Sequence, residues 1–195
     1  MAVAIPVPTW CSMSDFPAFE TPRLLLRELV ATDAPALFAI HGDADAMRWY
    51  GADPMIDVRQ AQKLIEIFAG WRAMPNPGVR WGMQSRSSGQ LIGTCGLFKW
   101  NRGWKTCTVG YELARTARGA GLMAEALSAA LTWGFEYMQL HRIEAQVHPE
   151  NAASLKLARG LGFVQEGRAR EAGFWQGQHH DLLQFGLLRQ DWPLG

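Results

Sequence analysis

Hydrophobic and polar residues alternate with period two from Thr108 to Leu113. Val109, Tyr111 and Leu113 fall on one face, and Thr108, Gly110 and Glu112 on the other. That spacing predicts a strand whose two faces meet different surroundings. The alternation breaks at Arg118-Gly119-Ala120-Gly121, and from Leu122 to Leu140 the period changes. There the non-apolar side chains are mainly Glu125, Ser128, Thr132, Glu136 and Gln139, three or four residues apart. A narrow polar stripe on an otherwise apolar cylinder predicts a helix buried over most of its circumference and packed on a sheet.

The same reading orders the rest of the chain. Residues 1–20 carry Pro6, Pro8 and Pro17 and no periodicity, which predicts an irregular extension ahead of a single domain over 21–195. A strand is expected over Thr21–Leu29, with Leu24, Leu26 and Glu28 on one face. A helix follows from Thr32 or Asp33, with Pro35 in its first turn. Asp57 and Gln60 have the spacing of a capping box, and Ala61, Leu64, Ile65, Phe68 and Trp71 make one apolar stripe behind it. Strands near 79–86 and 90–99, joined at Ser87-Ser88-Gly89, predict a hairpin. A strand over 143–147, a helix over 151–160 and strands over 163–170 and 181–189 complete the series, the last two linked by a tip at Gly173–Gly177.

Charge and cysteine content narrow the function classes. Lys+Arg number 19 against 18 Asp+Glu, so no global field attracts nucleic acid or an anionic membrane surface. Cys11, Cys95 and Cys107 are odd in number and lack C-x-x-C spacing, which suits reduced thiols and a cytoplasmic setting. Residues 1–10 hold no Lys or Arg, unlike a signal peptide, and no apolar run approaches the ~18 residues of a membrane span. A soluble protein is expected. The adjacent His179, His180 and Asp181 alternate faces on a strand and lack a partner cluster, so no metal is expected.

The turn at 118–121 carries the candidate chemistry. Glycines let successive backbone N–H groups point one way, the helix start adds its positive dipole end, and Arg118 adds a planar donor fork. These features suit a diphosphate. No G-x-x-x-x-G-K-[ST] is present, and Gly119-x-Gly121 lacks the third glycine of a dinucleotide fingerprint. An ordinary glycine-containing strand-to-helix turn fits the same residues. Arg118-x-x-Gly121-x-Met123 resembles the Arg/Gln-x-x-Gly-x-Gly/Ala coenzyme A loop of the GNAT acetyltransferase superfamily, departing from it at Met123. His148-Pro149-Glu150-Asn151-Ala152-Ala153-Ser154, then Gly162-Phe163 and Glu166-Gly167, resemble that superfamily's Asn-x-x-Ser … Gly-Phe … Glu-Gly signature. With Thr21-Pro22-Arg23-Leu24, Ile92-Gly93 and Asp181, the set looks like the branch named for acetylating ribosomal-protein N-termini.

The resemblance spans about 21–190 and implies an α/β fold. Its mixed, twisted sheet has about seven strands with helices on both faces, and it splays between the central strand and 143–147. Acetyl-coenzyme A is expected in that splay as cosubstrate, and transfer of its acetyl group to a primary amine is the implied activity. Leu113 is expected at the oxyanion, Arg118, Gly119, Ala120, Gly121, Leu122 and Met123 around the diphosphate, and Asn151 on the pantetheine arm. Ser154, one helical turn on from Asn151, is placed to donate to the sulfur. A plain helix cap and a solvated serine would also account for these two.

Thr108 matches the position where many members carry a glutamate. Glu112, on the same face, is the candidate base or a strand-end salt bridge, and Glu171 is a further candidate. Trp49, Trp71 and Trp81 lie where the acceptor side is expected and could wall a substrate channel, although core filling is the simpler account of each one singly. Asp43, Asp45, Asp53 and Asp57 could make its mouth acidic. A protein or peptide α-amino group suits the branch. With a pKa of about 7.7–8.0 it is partly neutral near pH 7, unlike lysine at about 10.4. A small-molecule amine and a non-catalytic coenzyme-binding module are the alternatives, as monomer or homodimer.

Overall fold

Eight strands form one sheet in the computed structural model, which describes residues 16–193. They are β1 (Phe19–Glu20), β2 (Leu24–Arg27), β3 (Val79–Ser85), β4 (Leu91–Asn101), β5 (Thr106–Leu113), β6 (Arg142–Val147), β7 (Val164–Trp175) and β8 (Gln178–Leu188). Their spatial order is β1-β2-β3-β4-β5-β6-β8-β7, antiparallel throughout except for the parallel pair β5–β6. Five α-helices accompany them: α1 (Ala34–His41), α2 (Ala44–Met47), α3 (Val58–Gly70), α4 (Leu122–Glu136) and α5 (Ala152–Gly160).

Helices cover both faces because the strands alternate. Along β3, Trp81 and Met83 join the core cluster of α4 residues that includes Leu127, Leu131 and Phe135. Gly82, between them, lies under Leu29 and Leu91, which belong to a second cluster with Leu37 of α1 and Ile65 of α3. The expected capping box starts α3: Asp57 accepts from Arg59 N–H, and Gln60 Oε1 accepts from Asp57 N–H at 3.1 Å.

The parallel pair is short. Thr106, Cys107 and Thr108 face Arg142, Ile143 and Glu144, and the register ends there. Beyond Thr108 and Glu144 the strands part, so residues 109–113 and 145–147 border the expected splay.

Several bounds differ from the pattern-based ones. The sheet has eight strands because Phe19–Glu20, expected within the irregular extension, pairs with Leu25–Leu26, and Phe19 enters the core. Residues 1–15 of that extension, with Cys11, lie outside the described residues. Helix α4 stops at Glu136, not Leu140: Gln139 turns left-handed (φ 54°) and its side chain caps the Glu136 carbonyl. The β7–β8 tip contracts to Gln176-Gly177, both at positive φ, because Gly173 stays in the strand beneath the Trp175 ring.

Candidate active site

A cleft of about 1120 Å³ occupies the splay, lined by Val109–Leu113 on one side and Ala145–His148 and Ser154 on the other. Backbone polarity at its edge follows from the ladder. Ala114 N–H donates to Ile92 O across the Gly93/Leu113 rung, so that rung is a non-hydrogen-bonded pair. Leu113 therefore aims its own N–H and C=O away from β4, into the splay.

The glycine turn closes one end. Gly119 and Gly121 adopt φ of +79° and +74°, and Gly121 is the left-handed N-cap of α4. Arg118 Nε donates to Leu113 O at 3.2 Å, which ties the turn to the strand end. A second arginine fixes the other side: Arg23 donates to Ala120 O (2.8 Å) and to Glu125 (2.6 Å) in the first turn of α4. Thr21 also donates to Glu125. The Thr21-Pro22-Arg23-Leu24 motif is thus the brace of the turn. Arg118, Gly119, Gly121, Leu122 and Met123 line the cleft, whereas Ala120 does not. Met123 is also packed in the α4 core.

On the opposite wall Asn151 caps α5, its Oδ1 accepting Ser154 N–H at 3.1 Å. Ser154 lines the cleft beside Tyr111 of β5. Burial raises the Tyr111 phenol, opposed by Ser154, so it is a neutral donor at neutral pH. Tyr111 was not among the sequence candidates; its place in the alternation showed only a face.

Glu112 sits on the other face, buried and multiply bonded. Its carboxylate pairs with Arg80, accepts from Thr94 Oγ1, and lies 3.1 Å from His41 Nε2. Burial would push this carboxyl up, but Arg80 foremost, with His41 and Thr94, holds it below the usual carboxylate range. Arg80 donates to Gly110 O as well and lies over the Phe68 ring. Arg80 and His41 therefore belong to the site, 32 and 71 positions from Glu112 in the chain, with Tyr50, whose hydroxyl accepts from Arg80 Nη2 at 3.4 Å. Distances that long leave no local spacing to read. Thr108 lines the cleft at the last paired rung, and Glu171 stands outside it, its N–H bonded to Asp181.

Trp49 and Trp71 line the cleft, whereas Trp81 is fully buried in the core. The acids expected at the mouth are engaged by neighbouring groups. Asp57 pairs with Arg59, Asp43 caps α2, and Asp53 accepts Gln176 N–H at 2.6 Å. Cys95 and Cys107 are free and buried, and burial pushes the Cys95 thiol up to about 12. No helix among the described residues is long and apolar enough to cross a membrane.

A family profile described as "Acetyltransferase (GNAT) domain" matches residues 23–164, from the Arg23 brace through the Asn151/Ser154 wall. The chain belongs to the GNAT acetyltransferases. Among relatives of this family, the uncharacterized N-acetyltransferase YoaA of Bacillus subtilis (strain 168) is 32% identical over 174 residues, 89% of this chain and 98% of its own. The [ribosomal protein uS5]-alanine N-acetyltransferase of Escherichia coli (strain K12) is 33% identical over 116 residues, 59% of this chain and 60% of its own. A solved structure, spermidine N-acetyltransferase from Vibrio cholerae in complex with CoA and spermine, superposes with TM-score 0.76 at 22% identity. It covers 88% of this chain and 98% of that one, which establishes the shared fold. The chain is thus an N-acetyltransferase of the GNAT family.

Proposed function

We propose that this GNAT enzyme transfers the acetyl group of acetyl-coenzyme A to the α-amino group of a peptide or protein N-terminus. The observation that carries the acceptor half is the state of the acids in the cleft. Asp45, Asp53 and Glu112 line it, and each already has a partner: Arg115 at 3.6 Å, the Gln176 N–H, and Arg80. A polyamine would bring several ammonium groups to a wall whose acids, among the described residues, are already engaged in hydrogen bonds or ion pairs. A single α-amine, partly neutral near pH 7, needs none.

The coenzyme half is supported by fit. The thioester supplies the acetyl group, and the left-handed glycines with the α4 N-terminus would hold the diphosphate. Asn151 spends its Oδ1 on the α5 cap, leaving its amide N–H₂ for the pantetheine arm. Leu113 N–H would donate toward the thioester oxygen as charge grows there. Ser154 would donate a hydrogen bond to the departing thiolate while keeping its own proton, with Tyr111 beside it, and solvent then protonates the sulfur. Glu112, committed to Arg80, is assigned to holding His41 and Arg80 in place and keeping the acceptor side ionised. The amine then gives its proton to water. Two buried free thiols and the uS5-directed relative support a cytoplasmic setting.

The test measures free thiol release from acetyl-coenzyme A across free N-terminal peptides, their blocked forms, spermidine and amino sugars. Free-terminus peptides should be the better substrates and blocked ones inert. A kcat/KM for spermidine or an amino sugar more than about tenfold above every peptide would replace this reading with the small-amine one.

A further inference from the structure

Two histidines, of which His148 lines the cleft, join three segments distant in sequence. His148 follows β6, His180 lies in β8, and both are nearly buried, with 9% and 8% exposure. His180 stacks on Trp175 of β7 (centroids 3.7 Å, planes 14° apart), and His148 stacks on Trp49 (4.1 Å, 17°). Trp175 Nε1 donates to Arg48 O at 3.1 Å, and the next residue, Gln176, donates its N–H to Asp53. The β7–β8 tip is thereby clasped onto residues 48–53. That loop, with Trp49, Trp175 and His148, walls the cleft.

The partners of the two rings fix where their protons sit. Glu150 N–H can only donate, so His148 Nδ1, 3.1 Å away, accepts. Trp175 C=O can only accept, so His180 Nε2, 3.2 Å away, carries a hydrogen. His148 Nε2 and His180 Nδ1 are 3.3 Å apart. With both rings neutral, His148 Nε2–H donates to His180 Nδ1, and the chain Glu150 → His148 → His180 → Trp175 runs in one direction with every member satisfied.

We propose that His180 is a positioning residue for the acceptor. Through this one-way chain of neutral imidazoles it holds the β7–β8 tip against residues 48–53 and so builds the wall that orients the incoming amine. The inference rests on the proposed reading of the cleft, with the amine reaching the thioester past this wall. Around His148, Glu150 and Asp181 favour a proton, but burial first, then His180 and Arg48, hold its pKa below the usual imidazole range. The neutral form of His148 that the chain requires is thus favoured near pH 7.

His180→Phe keeps a ring on Trp175 and removes both hydrogen bonds. Its acceptor KM should rise about tenfold, with kcat and coenzyme affinity within about twofold of wild type. Asp53→Ala, at an exposed position, removes the Gln176 clasp without touching the pair and should raise the same KM by a few-fold. The assay uses whichever amine proves the best substrate. A small-amine result therefore overturns the N-terminal reading and leaves this one to be judged on its KM. Nitrogen-15 NMR of histidine-labelled protein at pH 7.5 should place the hydrogen of both rings on Nε2. An unchanged acceptor KM in Asp53→Ala, or an Nδ1–H tautomer or imidazolium at either position, would overturn the proposal. So would a loss in His180→Phe that falls equally on coenzyme binding.

Discussion

Ser154 shows how a small side chain acquires a role from its neighbours. Its N–H is taken by the Asn151 cap, which fixes the first turn of α5, while its hydroxyl remains on the cleft wall beside Tyr111. A donor whose partner becomes a thiolate only during reaction should matter to turnover far more than to binding. Ser154→Ala is expected to lower kcat by up to about a hundredfold while coenzyme affinity stays within about twofold. Steady-state kinetics beside calorimetric titration check this, and unchanged turnover would remove Ser154 from the mechanism. At this scale the sequence was uneven. Asn151 and Ser154 sit three apart, a spacing that survives into the structure as a cap. The Arg80–Glu112–His41 group is assembled from β3, β5 and α1, and no spacing along the chain announces it. Only folding brings those charges together, where burial makes their pairing obligatory.

Among the elements, the strand-turn-helix unit is the most legible because each part obeys a local rule. Period two gives β5, the apolar cylinder gives α4, and glycines at +79° and +74° join them. An added Cβ at Gly121 would find room, its nearest neighbour being Arg23 Nη2 at 3.7 Å. The cost of a side chain there is therefore conformational: a β-branched residue resists left-handed φ. Gly121→Val should leave the fold intact and re-aim the N–H groups of the turn, weakening coenzyme binding at least about tenfold. Unchanged affinity in the folded variant, by calorimetric titration, would contradict the cradle assignment. Elements that local rules missed are set by contacts. The two residues of β1 carry no alternation and are a strand because Leu25–Leu26 offer a free edge. Helix α2 spans one turn and depends on the Asp43 cap. The β7–β8 tip is tightened by Trp175 over Gly173.

Over the whole molecule, the decisive feature is a parallel pair that stops after three rungs in an otherwise antiparallel sheet. The break exposes the backbone of β5 at Leu113 between two walls. One is the braced glycine turn, the other Asn151 and Ser154. Sequence could place each wall in order along the chain but not the depth of the cleft or its committed acids, since those depend on residues from 23 to 176 meeting in space. The acceptor assignment depends on that charge inventory and is tested most directly on one molecule offering both kinds of amine. A peptide with a free N-terminus and an internal lysine is incubated with the enzyme and acetyl-coenzyme A, and tandem mass spectrometry locates the added acetyl group. Acetyl on the N-terminal fragment ions alone, lost when that terminus is blocked, is the expected result. Acetyl on the lysine, or on neither amine while spermidine is acetylated under the same conditions, would contradict it.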